Sequence, residues 1–183
     1  MAVCWNICGY LATHGFTNMV VYSYTMSNKV KIAENQQGRL NVKLTPDYIV
    51  GLVDGEGYFS VSAIIDRSRG WNCHNVKMVF GIDLNVIDGK ILYNIKGWFG
   101  CGKISLKKEK REKFSDQFRF QVRDMKSILE VIIPFFQKHP LKLPKKIKTF
   151  EKFVEIAKMK ERKEHIGPEG FLKAKQLASQ LHI

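Results

Sequence analysis

Two acidic residues, two positions apart, have the placement that a catalytic site needs. Asp54 and Glu56 lie near the end of a helical pattern in the segment 48–59, and Gly57 then allows the helix to stop. The β-rich run 58–65 follows directly, so both carboxylates are predicted at a helix tip beside a strand. Carboxylate oxygens are ligands that hard divalent cations prefer. Glu56 is therefore the best catalytic candidate in the chain.

The helix that carries these acids has a clear beginning and one face without bulky side chains. Thr45 can cap free N–H groups, Pro46 suits the first helical position, and Asp47 complements the positive end of the helix dipole. Gly51 and Gly55 are four residues apart and share one face, where another backbone can approach closely. The spacing predicts a second helix packed against that face.

The rest of the pattern predicts an α+β fold. Alternating or β-rich stretches indicate strands at 58–65, 76–84, 101–106 and 117–122. Apolar residues at helical spacing indicate further helices at 88–99, 126–137 and 145–162. The order is αββαββα, and it predicts a four-stranded antiparallel sheet that packs on helices by one face. The other face and the hairpin tips are free and wide enough to lie along a DNA groove.

Charge indicates a polyanionic partner. The chain has 30 Lys and Arg against 17 Asp and Glu, for a net charge of +13. Segment 138–183 holds 12 basic and 5 acidic residues, and segment 107–113 is a second dense basic cluster. Both are predicted to contact phosphates.

Composition predicts one folded domain at 45–183 and a poorly ordered extension at 1–44. The chain is 45% hydrophobic, and its four cysteines have no zinc-type spacing, so we interpret them as reduced thiols. No apolar run reaches the roughly 20 residues of a membrane helix, and the N-terminus lacks the basic start of a signal peptide. We expect an intracellular protein without a membrane partner. A chloroplast, a mitochondrion and a bacterial cytoplasm all stay open as its compartment.

Segment 49–57 resembles the motif of the LAGLIDADG homing endonucleases, which are site-specific DNA-cleaving enzymes encoded within introns or inteins. The resemblance extends from 45 to 181 and includes segment 99–104, Pro140-Leu141 and the terminal segment 170–181. It implies the family's saddle-shaped sheet. It also implies that Glu56 holds a divalent metal, Mg²⁺ or Mn²⁺, at the scissile phosphates.

The same resemblance assigns supporting roles. Asp54 and Gly55 resemble residues that support the helix end, and Lys145, with Lys146 next best, resembles a lysine that organises the attacking water. Simple phosphate contact is the alternative for both lysines. Leu84 stands near the position where some relatives carry a polar, water-ordering side chain, so that part of the solvent network departs from the family.

A single motif implies a homodimer whose subunits pack through Gly51, Leu52 and Gly55. The expected target is long, pseudo-palindromic double-stranded DNA, cut to leave 3′ overhangs and to promote intron mobility. Two alternatives stay open, namely an RNA-binding maturase whose partner is intron RNA and a DNA-binding regulator without cleavage activity.

Residues on the open sheet face and hairpin tips are predicted to contact DNA. They are Ser60, Ser62, Asp66, Arg67, Arg69, Asn75, Lys77, Lys103, Ser105, Lys107, Gln117, Arg119 and Gln121.

Overall fold

The structure is a computed structural model that describes residues 43–66, 73–108 and 115–182. The predictions for residues 1–42, for Arg67 and Arg69, and for the tip of the basic loop at 109–114 lie outside the described residues. Within them, the predicted α+β architecture is confirmed.

The first helix, α1, spans Pro46–Glu56 as the capping residues predict. The side-chain oxygen of Thr45 accepts a hydrogen bond from the backbone N–H of Tyr48 at 3.2 Å. Proline occupies the first turn, where its missing N–H costs nothing. At the other end, Gly57 leaves the helix in an extended conformation and begins the first strand.

Four strands form one antiparallel sheet in the order β1-β2-β4-β3. They are β1 (Gly57–Asp66), β2 (Cys73–Asn85), β3 (Lys103–Lys107) and β4 (Gln117–Val122). In the central strand β2, Val76, Met78, Phe80 and Ile82 are all buried, whereas the alternate residues face the other side. The predicted division into a packed face and an open face is therefore confirmed.

Helices follow the second and fourth strands. Helix α2 spans Ile91–Phe99 and ends at Gly100, whose positive φ of 66° suits glycine. The long helix α5 spans Pro144–Glu161, close to its predicted range, and α6 spans Pro168–Ser179. None of the helices in the described part of the chain is long and apolar enough to cross a bilayer.

The helix predicted at 126–137 is interrupted, and Pro134 explains the interruption. A short helix α3 (Met125–Ser127) passes into a π-helical turn, Ile128–Ile132, before α4 (Ile133–Lys138). Pro134 has no N–H to donate, and its ring crowds the preceding turn. The N–H of Ile133 correspondingly bonds to the carbonyl of Ile128, five residues back. The prediction of one regular helix was wrong at this point.

An aromatic cluster joins the packed face of the sheet to the helices. The ring centroid of Phe59 in β1 lies 5.6 Å from that of Phe136 in α4. It lies 5.2 Å from the ring centroids of both Phe150 and Phe153 in α5. Aromatic pairs at these separations add to the stability that burial provides. The cluster packs the middle of α5 against β1, and the start of α5 then lies near the tip of α1, where Lys146 contacts Gly57.

Candidate active site and nucleic-acid interface

Asp54 is the buried member of the acidic pair, with 8% of its surface exposed. Its carboxylate accepts hydrogen bonds from the backbone N–H of Lys142 at 2.8 Å and of Leu143 at 3.4 Å. These bonds connect the end of α1 to the loop that precedes α5. Such an arrangement compensates the burial of a charged group and leaves little freedom for catalysis.

Glu56 is the exposed member and has the opposite environment. Among the residues that the structure describes, it has no hydrogen-bond or salt-bridge partner. It lies in the last turn of α1, which contains no basic residue. The negative end of a helix dipole favours a cation there, so this carboxylate is available to hold one.

The described residues contain no cluster of three or more His, Cys, Asp and Glu side chains that could enclose a metal. A cation at Glu56 therefore needs further ligands from outside this part of the chain. Mg²⁺ is commonly held in this way, by one or two carboxylates together with phosphate oxygens and water. The donor set thus fits an ion that binds together with a phosphate-containing substrate.

Lys146 and Lys145 have different surroundings although they are adjacent on α5. The Nζ of Lys146 donates a hydrogen bond to the carbonyl of Gly57, directly after Glu56. Burial lowers the pKa of Lys146, while the negative charges of Asp54 and Glu56 act in the opposite direction. Lys145 instead lines a surface groove together with Pro144, Lys148, Thr149, Lys152 and Gln180. Lys146 is thus the lysine located at the acidic helix tip.

The open face of the sheet gathers the predicted DNA-contacting residues that the structure describes. Residues directly opposite in an antiparallel pair lie on the same face. Such pairs are Ser60 with Val79, Ser62 with Lys77, Asp66 with Cys73, Lys103 with Gln121, Ser105 with Arg119, and Lys107 with Gln117. Asn75 lies opposite the exposed Ile64 on the same face. The face therefore presents amide, hydroxyl and basic groups side by side.

Sequence reasoning missed Tyr58 and Asp83, which also lie on this face. Asp83 is directly opposite Arg119, whose side chain binds it through Nε at 3.0 Å and Nη2 at 2.6 Å. Tyr58 donates to the Asp83 carboxylate at 3.3 Å and accepts from Gln121 at 2.7 Å. The alternation along β2 extends from Lys77 through Gly81 to Asp83 and could have indicated Asp83.

The pKa values of Arg119 and Tyr58 on the open face are both raised, for different reasons. Hydrogen bonding to Asp83 raises the pKa of Arg119, which keeps the guanidinium charged. Burial raises the pKa of Tyr58, while the hydrogen bond from Gln121 acts in the opposite direction. The phenol is therefore protonated at neutral pH and able to donate.

The glycine face of α1 is open in the single chain. A Cβ added at Gly51 or Gly55 meets no atom within 4 Å, apart from the backbone of the helix itself. Leu52 is half-buried and Tyr48 is 46% exposed on the same side of the helix. The described residues thus leave room for another element along this helix.

Comparisons with known proteins agree with this geometry. The profile of the LAGLIDADG endonucleases matches residues 49–157. The homing endonuclease I-TnaI has a similar structure, with a TM-score of 0.66 and 34% identity over 78% of this chain and 90% of that one. I-SmaMI bound to cleaved DNA is also similar, with a TM-score of 0.64 and 28% identity over 75% of this chain and 43% of that one.

Two fungal proteins are similar in sequence over about half of the chain. A probable intron-encoded endonuclease of Neurospora crassa is 36% identical over 104 residues, which are 54% of this chain and 21% of that protein. A probable intron-encoded DNA endonuclease of Mycosarcoma maydis is 29% identical over 100 residues, which are 55% of this chain and 33% of that protein. The chain therefore spans between a fifth and a third of the length of these curated relatives.

Proposed function

Because the chain belongs to the LAGLIDADG endonuclease family, we propose that it is a site-specific endonuclease that hydrolyses one phosphodiester bond in each strand of a long DNA duplex. The observation that carries the proposal is the exposed, unpartnered carboxylate of Glu56 at the tip of α1, beside an open sheet face of polar and basic residues.

The residues at the helix tip have complementary roles in this reaction. Glu56 would hold the divalent cation, Mg²⁺ or Mn²⁺, together with a phosphate oxygen of the DNA. When bound, such a cation activates water and stabilises the leaving 3′ oxygen. Asp54 keeps α1 and the start of α5 together through its two backbone hydrogen bonds. The Nζ of Lys146, at the Gly57 carbonyl, supplies a positive charge beside the reacting phosphate.

A second copy of the chain completes the active enzyme in this proposal. The open stripe of Gly51, Leu52 and Gly55 lets two α1 helices pack closely across a two-fold axis. Pairing brings two copies of Glu56 together, one for each DNA strand. The target is then pseudo-palindromic, with 3′ overhangs after cleavage and intron mobility as the outcome.

The interface is tested by Gly55→Leu, which fills the space that close helix packing needs. Sedimentation velocity should give monomers for this variant and dimers for the unaltered chain. Gln176→Leu adds the same side chain at an exposed position of α6 and serves as the matched control. A Gly55→Leu protein that stays dimeric contradicts this interface.

The activity is tested on a randomised DNA library incubated with the protein and Mg²⁺, with sequencing of the cut ends. Defined cuts with 3′ overhangs in a pseudo-palindromic site are expected, and Glu56→Gln should abolish them. Glu151→Gln, at an exposed position of α5, should cleave normally. Specific binding without cleavage overturns the proposal in favour of a DNA-binding regulator. Preferential binding of host intron RNA over the library favours a maturase.

A further inference from the structure

The middle of the open sheet face contains an acidic residue where a surface for DNA would ordinarily exclude one. Asp83 adjoins the tip of α1, because its neighbour Ile82 pairs with Gly57. An unpaired carboxylate there would repel phosphates, but Arg119 neutralises Asp83 through hydrogen bonds of 3.0, 3.0 and 2.6 Å. The side chain of Arg119 is 28% exposed and that of Asp83 is 19% exposed. A pair of this kind contributes little to stability, so orientation of the guanidinium is its main consequence.

The hydrogen bonds of Asp83 occupy one edge of the Arg119 guanidinium and leave the other edge free. A guanidinium has five N–H donors in a rigid plane. Asp83 accepts from Nε and from Nη2. Among the described residues, none accepts a hydrogen bond from Nη1. The free edge therefore presents parallel N–H groups from Nη1 and Nη2, which match the O6 and N7 acceptors of guanine in the major groove.

A second layer of hydrogen bonds holds this pair in place. Tyr58 donates to Asp83 at 3.3 Å, and Gln121 donates to the Tyr58 hydroxyl at 2.7 Å. Arg123 in turn donates to the Gln121 side-chain oxygen at 2.7 Å. Both ends of the Gln121 amide are thus engaged within the protein. The phenol lies directly over Gly81, where an added Cβ would be 2.5 Å from the ring.

We propose that Arg119 reads a guanine in the inner part of each DNA half-site, and that Asp83, Tyr58 and Gln121 are positioning residues for this contact. The inference rests on the proposed function and makes it more specific. The inner location follows because Tyr58 is two residues beyond Glu56, which at about 3.3 Å per strand residue keeps the network close to the cleaved bonds. Gln121, predicted above as a DNA-contacting residue, acts through Tyr58 in this assignment.

The test is a binding selection from a randomised DNA library in Mg²⁺, with the Glu56→Gln chain as the parent so that bound DNA stays intact. The parent should select a site with a guanine at one inner position of each half-site. Arg119→Lys keeps the charge but loses the bidentate edge, and Asp83→Asn keeps the shape but releases the guanidinium. Each variant should lower the preference for that guanine by about 5- to 150-fold and leave the other positions unchanged.

Two controls separate recognition from folding. Lys90→Ala removes an exposed charge at the start of α2, away from the sheet face, and should keep the guanine preference. The Asp83→Asn/Arg119→Lys double variant should lose no more preference than either single variant, because the two residues act as a unit. A simple loss of folding would instead weaken selection at every position and lower the melting temperature.

The possible failures are distinguishable. A specific site whose guanine preference survives Arg119→Lys, or that has no inner guanine, overturns this inference and leaves the endonuclease proposal intact. A preference that is lost in Arg119→Lys but unchanged in Asp83→Asn overturns the positioning role of Asp83. A parent that selects no specific DNA at all overturns both proposals.

Discussion

Glu56 and Asp83 are two carboxylates beside the same end of β1, and their surroundings differ in one decisive respect. Glu56 is exposed and has no partner among the described residues, whereas Asp83 is bound by Arg119 and Tyr58. The free carboxylate keeps its lone pairs for a cation, and the paired one uses its lone pairs to orient a basic group. Under the proposed function, hydrolysis and base reading therefore lie close together but rest on separate groups.

Lys146→Met should have the largest effect, because it removes a positive charge beside Glu56 and leaves the network of Asp83 and Arg119 intact. Single-turnover cleavage at saturating protein should slow by about 100-fold, the usual cost of losing one donor at a developing charge. Lys145→Met is the matched control and should slow cleavage much less, since Lys145 lines a groove on α5. A larger loss for Lys145→Met would reverse the assignment of the two lysines.

Asp54→Ala should affect stability, in contrast to the neighbouring acid. The partly buried backbone hydrogen bonds of Lys142 and Leu143 then lose their acceptor. We expect the free energy of unfolding in urea to fall by about 2–3 kcal/mol. Glu56→Ala should change it by less than about 0.5 kcal/mol, since an exposed side chain without partners is removed. Equal losses in the two variants would contradict the contrast between a structural and a free carboxylate.

Gly81→Ala should disturb the network of Tyr58, Asp83 and Arg119, because Gly81 lies directly under the Tyr58 ring. The new Cβ would be 2.5 Å from the Tyr58 ring and 3.0 Å from the Phe120 carbonyl, so the phenol has to move. Crowding of this kind costs about 1–2 kcal/mol, measurable as a lower urea midpoint. Lys77→Ala, on the same strand and face, should leave the midpoint nearly unchanged. A Gly81→Ala protein as stable as the parent would show that Tyr58 is not held over Gly81.

Lys107→Ala should have the smallest effect and distinguishes phosphate contact from base reading. Lys107 lies at the end of β3 and is exposed. Its loss should weaken DNA binding about equally for all sequences and reduce the slope of log affinity against log salt by about 1. Fluorescence anisotropy across a salt series measures both. A change in the selected sequence instead of the slope would assign Lys107 to base recognition.

The sequence predicted the fold and the two faces of the sheet because these depend on simple periodicities. Period-two alternation in β2 and the cap at Thr45 are local signals that tertiary packing did not override. The interruption at Pro134 was also available from the sequence, since a proline inside a helix removes a hydrogen bond. Its π-helical outcome depends on packing and was not predictable.

The details of the site depend on side-chain direction, which the pattern does not contain. Lys145 and Lys146 are adjacent on α5, and each residue turns an α-helix by about 100°. Only the rotation of α5 about its own axis decides which of the two lysines approaches Gly57. In the same way, Tyr58, Asp83 and Arg119 come into contact only when three strands pair in the correct register. No short segment of sequence carries that information.

The most direct test of the contrast between the two carboxylates measures single-turnover cleavage of the selected DNA target by Glu56→Gln and Asp83→Asn, each at saturating protein with Mg²⁺. We predict that Glu56→Gln binds the target but slows cleavage by at least about 1,000-fold, as expected when the ligand of a catalytic cation is lost. Asp83→Asn should cleave the same target at nearly the parental rate while accepting other bases at the inner position. Normal cleavage by Glu56→Gln, or an equal loss of rate in Asp83→Asn, would contradict the separation of hydrolysis from base reading.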